Sequence, residues 1–266
     1  MRILALVHEP GPCSGVFADV AGGRGAEIEE WSLAWGTPPP RPLDEYGAVL
    51  VFGGVMHVDQ EHYHPWLREE NLLIQRLLDQ HVPLLGVCLG GQLIAKAVHT
   101  PVVRSSEPEV GWVEVGLTRE ATADPVFGAL PASFTAYEWH YYRFELPAGA
   151  APLARSATCL QAFRLGELAW GLQFHCEVSR ETVLEWIETY GNGADPDLPP
   201  GAIERMRAET DAHVGAWTAI GREIASRFLD VAAGAAGARQ RAATTSRSAA
   251  TAGRSSSRSV QPRSAR

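Results

Sequence analysis

The sequence predicts an α/β protein with a mostly parallel central sheet. Its 266 residues, 45% of them hydrophobic, are enough for one sizeable domain with its own core. Short and nearly uninterrupted apolar runs recur along the chain, and such runs are typical of strands buried on both faces of a parallel sheet. Helical patterns lie between them, as the crossover connections of parallel strands require. The runs are RILALV (2–7), AVLVF (48–52), PLLGV (83–87) and LAWGLQF (168–174).

Four segments show apolar residues at helical spacing. Residues 65–80 place leucines on one stripe, and residues 89–99 form a second helical pattern. A third helix is predicted over 179–190, where Ser179 is a good N-cap residue. From about 202 to 231, bulky apolar side chains fall at roughly helical spacing, which predicts a long amphipathic helix packed on the domain.

More alternating patterns predict additional strands over 112–117, 134–138 and 153–165. Stretches rich in proline and glycine predict loops at 36–42 and 193–201. The sequence shows no internal repeat, so these elements are expected to form a single folded domain.

The domain is predicted to span residues 1–232, and residues 233–266 are predicted to form a disordered tail rich in Arg, Ser and Ala. Residues 231–266 contain seven arginines and no acidic residue, so residues 1–230 carry 16 basic and 31 acidic side chains. This acidic body argues against nucleic acid as the main ligand of the folded part. Contact of the tail with RNA or an acidic partner stays an alternative to a solvated extension.

The sequence predicts no transmembrane span, because no run of about 18 apolar residues occurs. The apolar stretch at the N-terminus is interrupted too soon to be a secretory signal. Irregular cysteine spacing in a chain of this length favours reduced thiols over a disulfide framework, and with them a cytoplasmic location. The cysteines are Cys13, Cys88, Cys159 and Cys176.

The order of strand, sharp turn and helix around Cys88 predicts a nucleophile elbow. Gly86 and Gly90 leave room for a tight bend that points the thiol out at the carboxyl end of a strand. The backbone N–H of Leu89 and the positive end of the following helix then favour a thiolate and an oxyanion, which acyl transfer requires. The alternative is a buried structural cysteine, the commonest role of a lone Cys.

A cysteine nucleophile needs a base and a group that orients that base. The stretch QFHCE (173–177) supplies His175 and Glu177 at the end of a predicted strand. Alternate residues of an extended segment share a face, so the carboxylate can lie beside the imidazole and fix its orientation. An H-x-E pair alone is a weak signal, but together with the elbow it predicts a Cys–His–Glu triad.

Another predicted strand ends in paired glycines, in VFGGV (51–55). A backbone N–H at Gly53 or Gly54 would approach a substrate carbonyl closely and complete an oxyanion hole. A turn between strand and helix that merely needs glycine explains the same residues, so both interpretations stay open.

These segments resemble the class I (triad) glutamine amidotransferase domains, especially stand-alone members similar to the amidotransferase part of GMP synthase. The resemblance covers roughly residues 45–190. It implies a flavodoxin-like three-layer α/β sandwich that hydrolyses the side-chain amide of L-glutamine. The stretches that carry it are, in family order, VLVFGG, VPLLGVCLGGQLIAKA, GWVEVGLT, WHYYRFELPAGA and WGLQFHCE.

The resemblance also implies roles for individual residues. Cys88 would be the nucleophile, His175 the base, and Glu177 the group that orients the base. Gly54 and Leu89 would hold the oxyanion through their backbone amides.

Four further positions bear on the substrate pocket. Gln92, one helical turn after the nucleophile, matches a family position that helps to line the glutamine pocket. The family's usual proline between His and Glu is Cys176 here, which affects the stiffness of the loop. The Gly-Asp pair that often follows WH is Tyr141-Tyr142, and this leaves the substrate specificity open because the segment helps to shape the pocket rim.

The loop VMHVDQEHYHPW is expected to lie at the pocket rim or in solvent and to bind no metal. It contains Asp59 and three histidines, but their spacing matches no zinc template. His140 matches a recurrent family histidine, and a structural hydrogen-bonding role is expected for it. No cofactor is predicted, and a disulfide between Cys88 and Cys176 is not expected in a cytoplasm. The loop histidines are His57, His62 and His64.

The leading prediction is an enzyme that releases glutamate and ammonia from glutamine. Elsewhere in the family the ammonia travels to a synthase site, and no second domain is predicted here, so one expected partner is a separate synthase subunit. Hydrolysis of another γ-glutamyl amide or peptide by the same thiol chemistry is an alternative. A catalytically silent binding or regulatory module is a further alternative, against which the intact Cys, His and Glu argue.

Overall fold

The computed structural model describes residues 1–9, 13–191, 193 and 195–255. Within these residues, nine strands form one sheet with the order β2-β1-β3-β4-β9-β8-β7-β5-β6. The strands are β1 (Arg2–Leu6), β2 (Glu27–Trp31), β3 (Ala48–Val51), β4 (Leu84–Val87), β5 (Val102–Leu117), β6 (Ser133–Phe144), β7 (Ala151–Arg155), β8 (Leu160–Leu165) and β9 (Ala169–Leu172). The helices are α1 (Gly15–Gly23), α2 (Trp66–Asp79), α3 (Leu89–Ala97), α4 (Arg180–Tyr190) and α5 (Ala202–Ser255).

One half of the sheet is parallel and contains the strands that the apolar runs predicted. β2, β1, β3, β4 and β9 pair in parallel, and β8, β7, β5 and β6 continue the sheet in antiparallel pairs. Every residue of β3, β4 and β9 is buried, as near-continuous apolar runs require. Because parallel strands end at the same edge of a sheet, the segments that follow β1, β3, β4 and β9 lie side by side.

Helices cover both faces of this sheet. α1, α4 and α5 lie on one face, over a core that includes Phe17, Ile187 and Trp217. α2 and α3 lie on the other face, where Leu73 and Leu93 belong to a second buried cluster. The resulting three layers confirm the predicted α/β sandwich.

Several element boundaries differ from the predicted ones. The patterns at 112–117 and 134–138 are parts of two much longer strands, β5 and β6, which pair along most of their length. The pattern at 153–165 divides into β7 and β8 at a turn, where the Ser156 hydroxyl accepts hydrogen bonds from two backbone N–H groups. The sequence patterns did not predict α1 and β2. β2 is the acidic stretch EIEEW, and its pairing with β1, rather than an apolar pattern, defines it as a strand.

The last helix continues further than predicted. α5 runs to Ser255, whereas the sequence predicted its end near residue 231 and disorder from residue 233. Alanine and arginine have high helix propensity, and no proline interrupts the segment before Pro262. Burial nevertheless ends at Ala232, the last described residue of the helix that is buried. The predicted disorder of residues 256–266 lies outside the described residues. No helix in the described ranges is both long and apolar enough to span a bilayer.

We expect removal of residues 235–266 to lower the melting temperature by less than about 2 °C, because this part of α5 buries no apolar side chain that the structure describes. Amide hydrolysis should also be nearly unchanged. Thermal unfolding followed by circular dichroism measures the effect. A longer truncation from residue 227 is the control, since it also removes the buried Phe228 and Leu229 and should cost several degrees. A drop of several degrees after the shorter truncation would contradict the expectation.

Candidate active site

Cys88 lies on a sharp turn between β4 and α3. Its φ of 52° and ψ of −109° are rare for a residue other than glycine, so the turn is strained. A Cβ on Gly86 would overlap the backbone of Gly90, and a Cβ on Gly90 would overlap the carbonyl oxygen of Val51. The N–H of Cys88 donates to the carbonyl of Leu172 in β9 at 2.8 Å, which fixes the turn against the sheet. The two glycines therefore permit the elbow that the sequence predicted.

His175 follows β9, and contacts on its backbone and ring fix its position. Its N–H donates to the carbonyl of Tyr137 at 2.9 Å, and its own carbonyl accepts a hydrogen bond from Nε1 of Trp217 at 2.9 Å. The ring of Trp186 stands perpendicular to the imidazole, with centroids 4.9 Å apart. The imidazole is therefore held by α4, α5 and β6 as well as by its own strand.

Glu177 lies beside His175, as the alternation of the extended segment predicted. The distance between His175 Nδ1 and Glu177 Oε1 is 2.7 Å, and both side chains are buried. Burial alone would lower the pKa of His175, but the charges of Glu177 and Cys88 and hydrogen bonds to both raise it well above its usual value. The site therefore favours the charged form of the imidazole beside the sulfur of Cys88.

The paired glycines after β3 lie directly against this site. A Cβ on Gly53 would come within 2.9 Å of Cε1 of His175 and 3.6 Å of Cβ of Cys88. A Cβ on Gly54 would come within 2.7 Å of Cβ of His8. Glycine is thus required here by close approach, and the Gly53–Gly54 peptide lies between His8 and the thiol–imidazole pair.

Two further residues that the sequence assigned to the site lie near the start of α3. Leu89 is the first residue of the helix, where a backbone N–H has no acceptor within the helix. The side-chain amide of Gln92 donates to the carbonyl of Tyr142 at 2.9 Å and to Oε1 of Gln173 at 3.3 Å. Gln92 thereby ties the elbow helix to the end of β6.

Sequence reasoning missed two neighbours of the thiol. Nε2 of Gln173 lies 3.8 Å from Sγ of Cys88, and the carbonyl oxygen of Trp139 lies 3.9 Å from the same sulfur. Gln173 precedes His175 by two residues, as His175 precedes Glu177, so the two-residue period of the extended segment placed all three on one face. Trp139 had no such signal, because the long β5–β6 pair brings it to the thiol.

Tyr141 and Tyr142 each contact a loop at the edge of the site. The Tyr141 hydroxyl donates to Asp195, which also accepts from Nε1 of Trp139. The Tyr142 hydroxyl donates to Asp59 at 3.1 Å, and its ring stacks on His57 with centroids 4.4 Å apart. The two tyrosines therefore fasten the loops around residues 59 and 195 to the end of β6.

His140 has the structural role that the sequence predicted. Its Nδ1 lies 3.0 Å from the carbonyl oxygen of Tyr142, and its Nε2 lies 3.1 Å from Oε2 of Glu109. Nε2 of Gln161 donates to Glu109 at 2.6 Å, and the Cys159 thiol lies 3.2 Å from the same oxygen. These contacts join β5, β6 and β8 below the thiol site.

Glu109, His140 and Cys159 also form the one cluster of possible metal ligands in the described part of the chain, with ligand atoms within 4.8 Å of one another. We assign no metal to it, because the hydrogen bonds above already occupy the carboxylate oxygen and the imidazole. His57, His62 and His64 do not belong to such a cluster within the described residues. Cys176 is a buried thiol outside any disulfide, and burial raises its pKa.

Glu138 is a buried carboxyl that sequence reasoning did not identify. It lies on β6 with both side-chain oxygens lacking a hydrogen-bond partner among the described residues. Burial raises the pKa of Glu138 well above its usual value, and the charge of Glu109 adds to the effect. The raised pKa extends the pH range over which the neutral acid is favoured, and Oε2 of Glu138 lies 3.5 Å from Nε2 of His140.

Sequence comparison points to one family. A family model described as Glutamine amidotransferase class-I matches residues 28–187, a range that includes Cys88, His175 and Glu177. The chain is 31% identical over 188 residues to the glutamine amidotransferase-like protein YfeJ of Salmonella typhimurium, covering 69% of this chain and 78% of that protein. It is 40% identical over 149 residues to a glutamine-hydrolysing GMP synthase subunit of Thermococcus kodakarensis, covering 53% of this chain and 74% of that protein.

Solved structures of similar fold agree with this family. A glutamine amidotransferase from Thermotoga maritima superposes with a TM-score of 0.74 at 29% identity, covering 86% of this chain and 97% of that chain. A glutamine amidotransferase from Methylobacillus flagellatus has a TM-score of 0.74 at 28% identity, covering 86% of this chain and 94% of that chain.

Proposed function

Because the chain belongs to the class-I glutamine amidotransferase family, we propose that it hydrolyses the side-chain amide of L-glutamine with Cys88 as the nucleophile. The observation that carries this proposal is the meeting of three groups at one edge of the sheet. Cys88 lies at a strained elbow, His175 contacts it, and Glu177 holds the imidazole at 2.7 Å.

The first half of the reaction forms a thioester. The Cys88 thiolate attacks the amide carbon, so that a C–S bond forms and the carbonyl oxygen becomes an oxyanion. The N–H groups of Gly54 and Leu89 donate to this oxyanion. The C–N bond then breaks, and the His175 imidazolium gives its proton to the departing ammonia. The product is a γ-glutamyl thioester on Cys88.

The second half restores the enzyme. His175, now neutral, takes a proton from water, and the resulting hydroxide attacks the thioester carbon. The C–S bond breaks, glutamate leaves, and the thiolate of Cys88 pairs again with the imidazolium. Glu177 holds His175 in one orientation and stabilises its charged form throughout. Gln92 acts indirectly, since its amide fixes the Tyr142 backbone beside the pocket.

The released ammonia goes either to solvent or to a partner. One relative is named as part of a GMP synthase, which supports a separate synthase protein as the acceptor. Another γ-glutamyl amide is the second candidate substrate. The observation that favours it is the position of Tyr141 and Tyr142, which contact the loops at the edge of the site. Two large rings there suit an aryl or alkyl leaving group.

The test of the proposed function is the release of glutamate and ammonia by the full chain. Glutamine and a series of γ-glutamyl amides are assayed alone and with candidate synthase partners. We expect weak turnover of free glutamine without a partner and a measurable gain with an aryl or alkyl γ-glutamyl amide. No release from any of these substrates, with the thiol intact, would support the catalytically silent module instead.

We expect Tyr142→Gly to shift the ratio of kcat/KM between glutamine and a γ-glutamyl anilide by about tenfold, because pocket shape rather than the triad sets the preference. The rate of Cys88 alkylation by iodoacetamide should stay unchanged. Tyr142→Phe is the matched control, since it keeps the ring on His57 and removes only the hydroxyl that reaches Asp59. An unchanged ratio in Tyr142→Gly would mean that the ring does not shape the pocket.

A further inference from the structure

A buried histidine–glutamate pair lies behind the Gly53–Gly54 peptide. His8 follows β1 and Glu70 lies on α2, and both side chains are about 1% exposed. Nδ1 of His8 is 2.9 Å from the carbonyl oxygen of Gly53, and its Nε2 is 3.0 Å from both carboxylate oxygens of Glu70. The ring of Trp66 stacks on the imidazole, with centroids 5.6 Å apart. Both ring nitrogens of His8 and both carboxylate oxygens of Glu70 therefore have a polar partner, and rotation of the imidazole would break these contacts.

Both ring nitrogens of His8 face acceptors. A backbone carbonyl only accepts hydrogen bonds, so Nδ1 of His8 carries a proton and donates it to the carbonyl of Gly53. Burial by itself would lower the pKa of His8, but the charge and hydrogen bond of Glu70 and the Gly53 carbonyl raise it above its usual value. The charged form of the His8 ring is thus favoured, and the ring donates to the Gly53 carbonyl through Nδ1.

The geometry of a trans peptide extends this contact to the active site. The described residues contain no cis peptide bond, so the carbonyl of Gly53 and the N–H of Gly54 point in opposite directions from one plane. The carbonyl is fixed toward His8 on one side. A Cβ added at Gly53 would come within 2.9 Å of Cε1 of His175 and 3.6 Å of Cβ of Cys88, so the α-carbon of Gly53 lies against the thiol–imidazole pair. The N–H of Gly54 is therefore directed away from the imidazole of His8.

We propose that His8 and Glu70 are positioning residues that aim the Gly54 N–H at the oxyanion. A charged donor on the carbonyl also polarises the peptide, which strengthens its N–H as a donor. The inference rests on the proposed function, in which this N–H stabilises the oxyanion of glutamine hydrolysis. Besides the three segments that supply the reacting groups, it involves His8, which follows β1, and Glu70 of α2.

The test compares two double variants that share Glu70→Gln, so that neither leaves a buried carboxylate unpaired. His8→Asn places an amide nitrogen close to the position of Nδ1 and keeps a donor for the Gly53 carbonyl. His8→Leu fills a similar volume and has no donor. Both are assayed for kcat and KM with the best substrate, for melting temperature, and for alkylation of Cys88 by iodoacetamide, a displacement that forms no oxyanion.

We expect His8→Leu/Glu70→Gln to lower kcat about 10- to 100-fold, while KM and the alkylation rate change less than about threefold. His8→Asn/Glu70→Gln should recover most of kcat at a comparable melting temperature. A folded leucine variant with wild-type kcat would overturn the proposal, and so would an asparagine variant as slow as the leucine variant. Parallel loss of kcat and alkylation would also overturn it, since that indicates a general collapse of the site.

If the leucine variant does not fold, the asparagine variant still tests the proposal, because it keeps a donor for the Gly53 carbonyl. A loss of kcat of about 100-fold in this variant, with intact alkylation, would contradict a role for the Nδ1 donor. The wild type separates this inference from the proposed function. An inactive wild type rejects the glutaminase proposal itself. A wild type whose activity depends on Cys88 but not on the His8 donor rejects only the positioning role.

Discussion

Replacement of Cys88 by alanine or serine is expected to abolish amide hydrolysis, with a loss of at least ~10⁴-fold in kcat, while the protein remains folded. Alanine removes the atom that forms the thioester. Serine keeps an oxygen there, but its hydroxyl is a far weaker nucleophile than a thiolate paired with an imidazolium. The strained φ of 52° is retained in both variants, so the backbone cost at the elbow is the same as in the wild type.

Activity is measured as glutamate release, and folding by circular dichroism and melting temperature. Cys159→Ala is the matched control, because Cys159 is also a buried thiol but contacts Glu109 on the β5–β6–β8 side of the sheet rather than the site. It should retain activity. Turnover near the wild-type rate in a folded Cys88→Ala protein would remove Cys88 from the mechanism.

A second large effect is expected at His175, and a smaller one at Glu177. His175→Ala should approach the loss seen at Cys88, because the imidazole transfers a proton in both halves of the reaction. The loss of kcat in Glu177→Gln should be smaller than the loss in His175→Ala by about one to two orders of magnitude. The reason is that Glu177 orients the imidazole and stabilises its charge without transferring a proton. The 2.7 Å contact from Nδ1 of His175 to Glu177 is the structural reason for this order.

The hierarchy is measured as kcat with the best substrate, with melting temperatures to verify folding. Wild-type activity in His175→Ala would contradict the triad. A loss at Glu177 that far exceeds the loss at His175 would also contradict it, because an orienting residue cannot matter more than the group it orients. The Glu177→Gln variant keeps the size of the side chain, so packing of the buried segment is preserved.

The spatial grouping of Cys88, His175 and Glu177 could be predicted from sequence because its signals are local. Gly86 and Gly90 flank Cys88 at two residues on either side, and the structure explains both by overlaps that a Cβ would cause. His175 and Glu177 are separated by one residue, so the two-residue period of an extended segment was enough to place them side by side. The parallel strands β1, β3, β4 and β9 were similarly visible as apolar runs.

The His8–Glu70 pair had no comparable signal. The two residues are 62 positions apart, and their contact depends on how α2 packs against the end of β1. In the sequence, Glu70 is one more polar residue of an amphipathic helix, and only the fold shows that its carboxylate is buried. Trp139 is a similar case, because it reaches the thiol through the long β5–β6 pair.

The most direct test of the central claim traps the γ-glutamyl thioester during turnover. The full chain is incubated with L-glutamine in the presence of hydroxylamine, and glutamate, γ-glutamyl hydroxamate and ammonia are quantified together. We expect hydroxamate to form at the expense of glutamate, their sum to equal the ammonia released, and Cys88→Ala to form neither product. Ammonia release without any hydroxamate, or equal hydroxamate formation by wild type and Cys88→Ala, would contradict a thioester on Cys88.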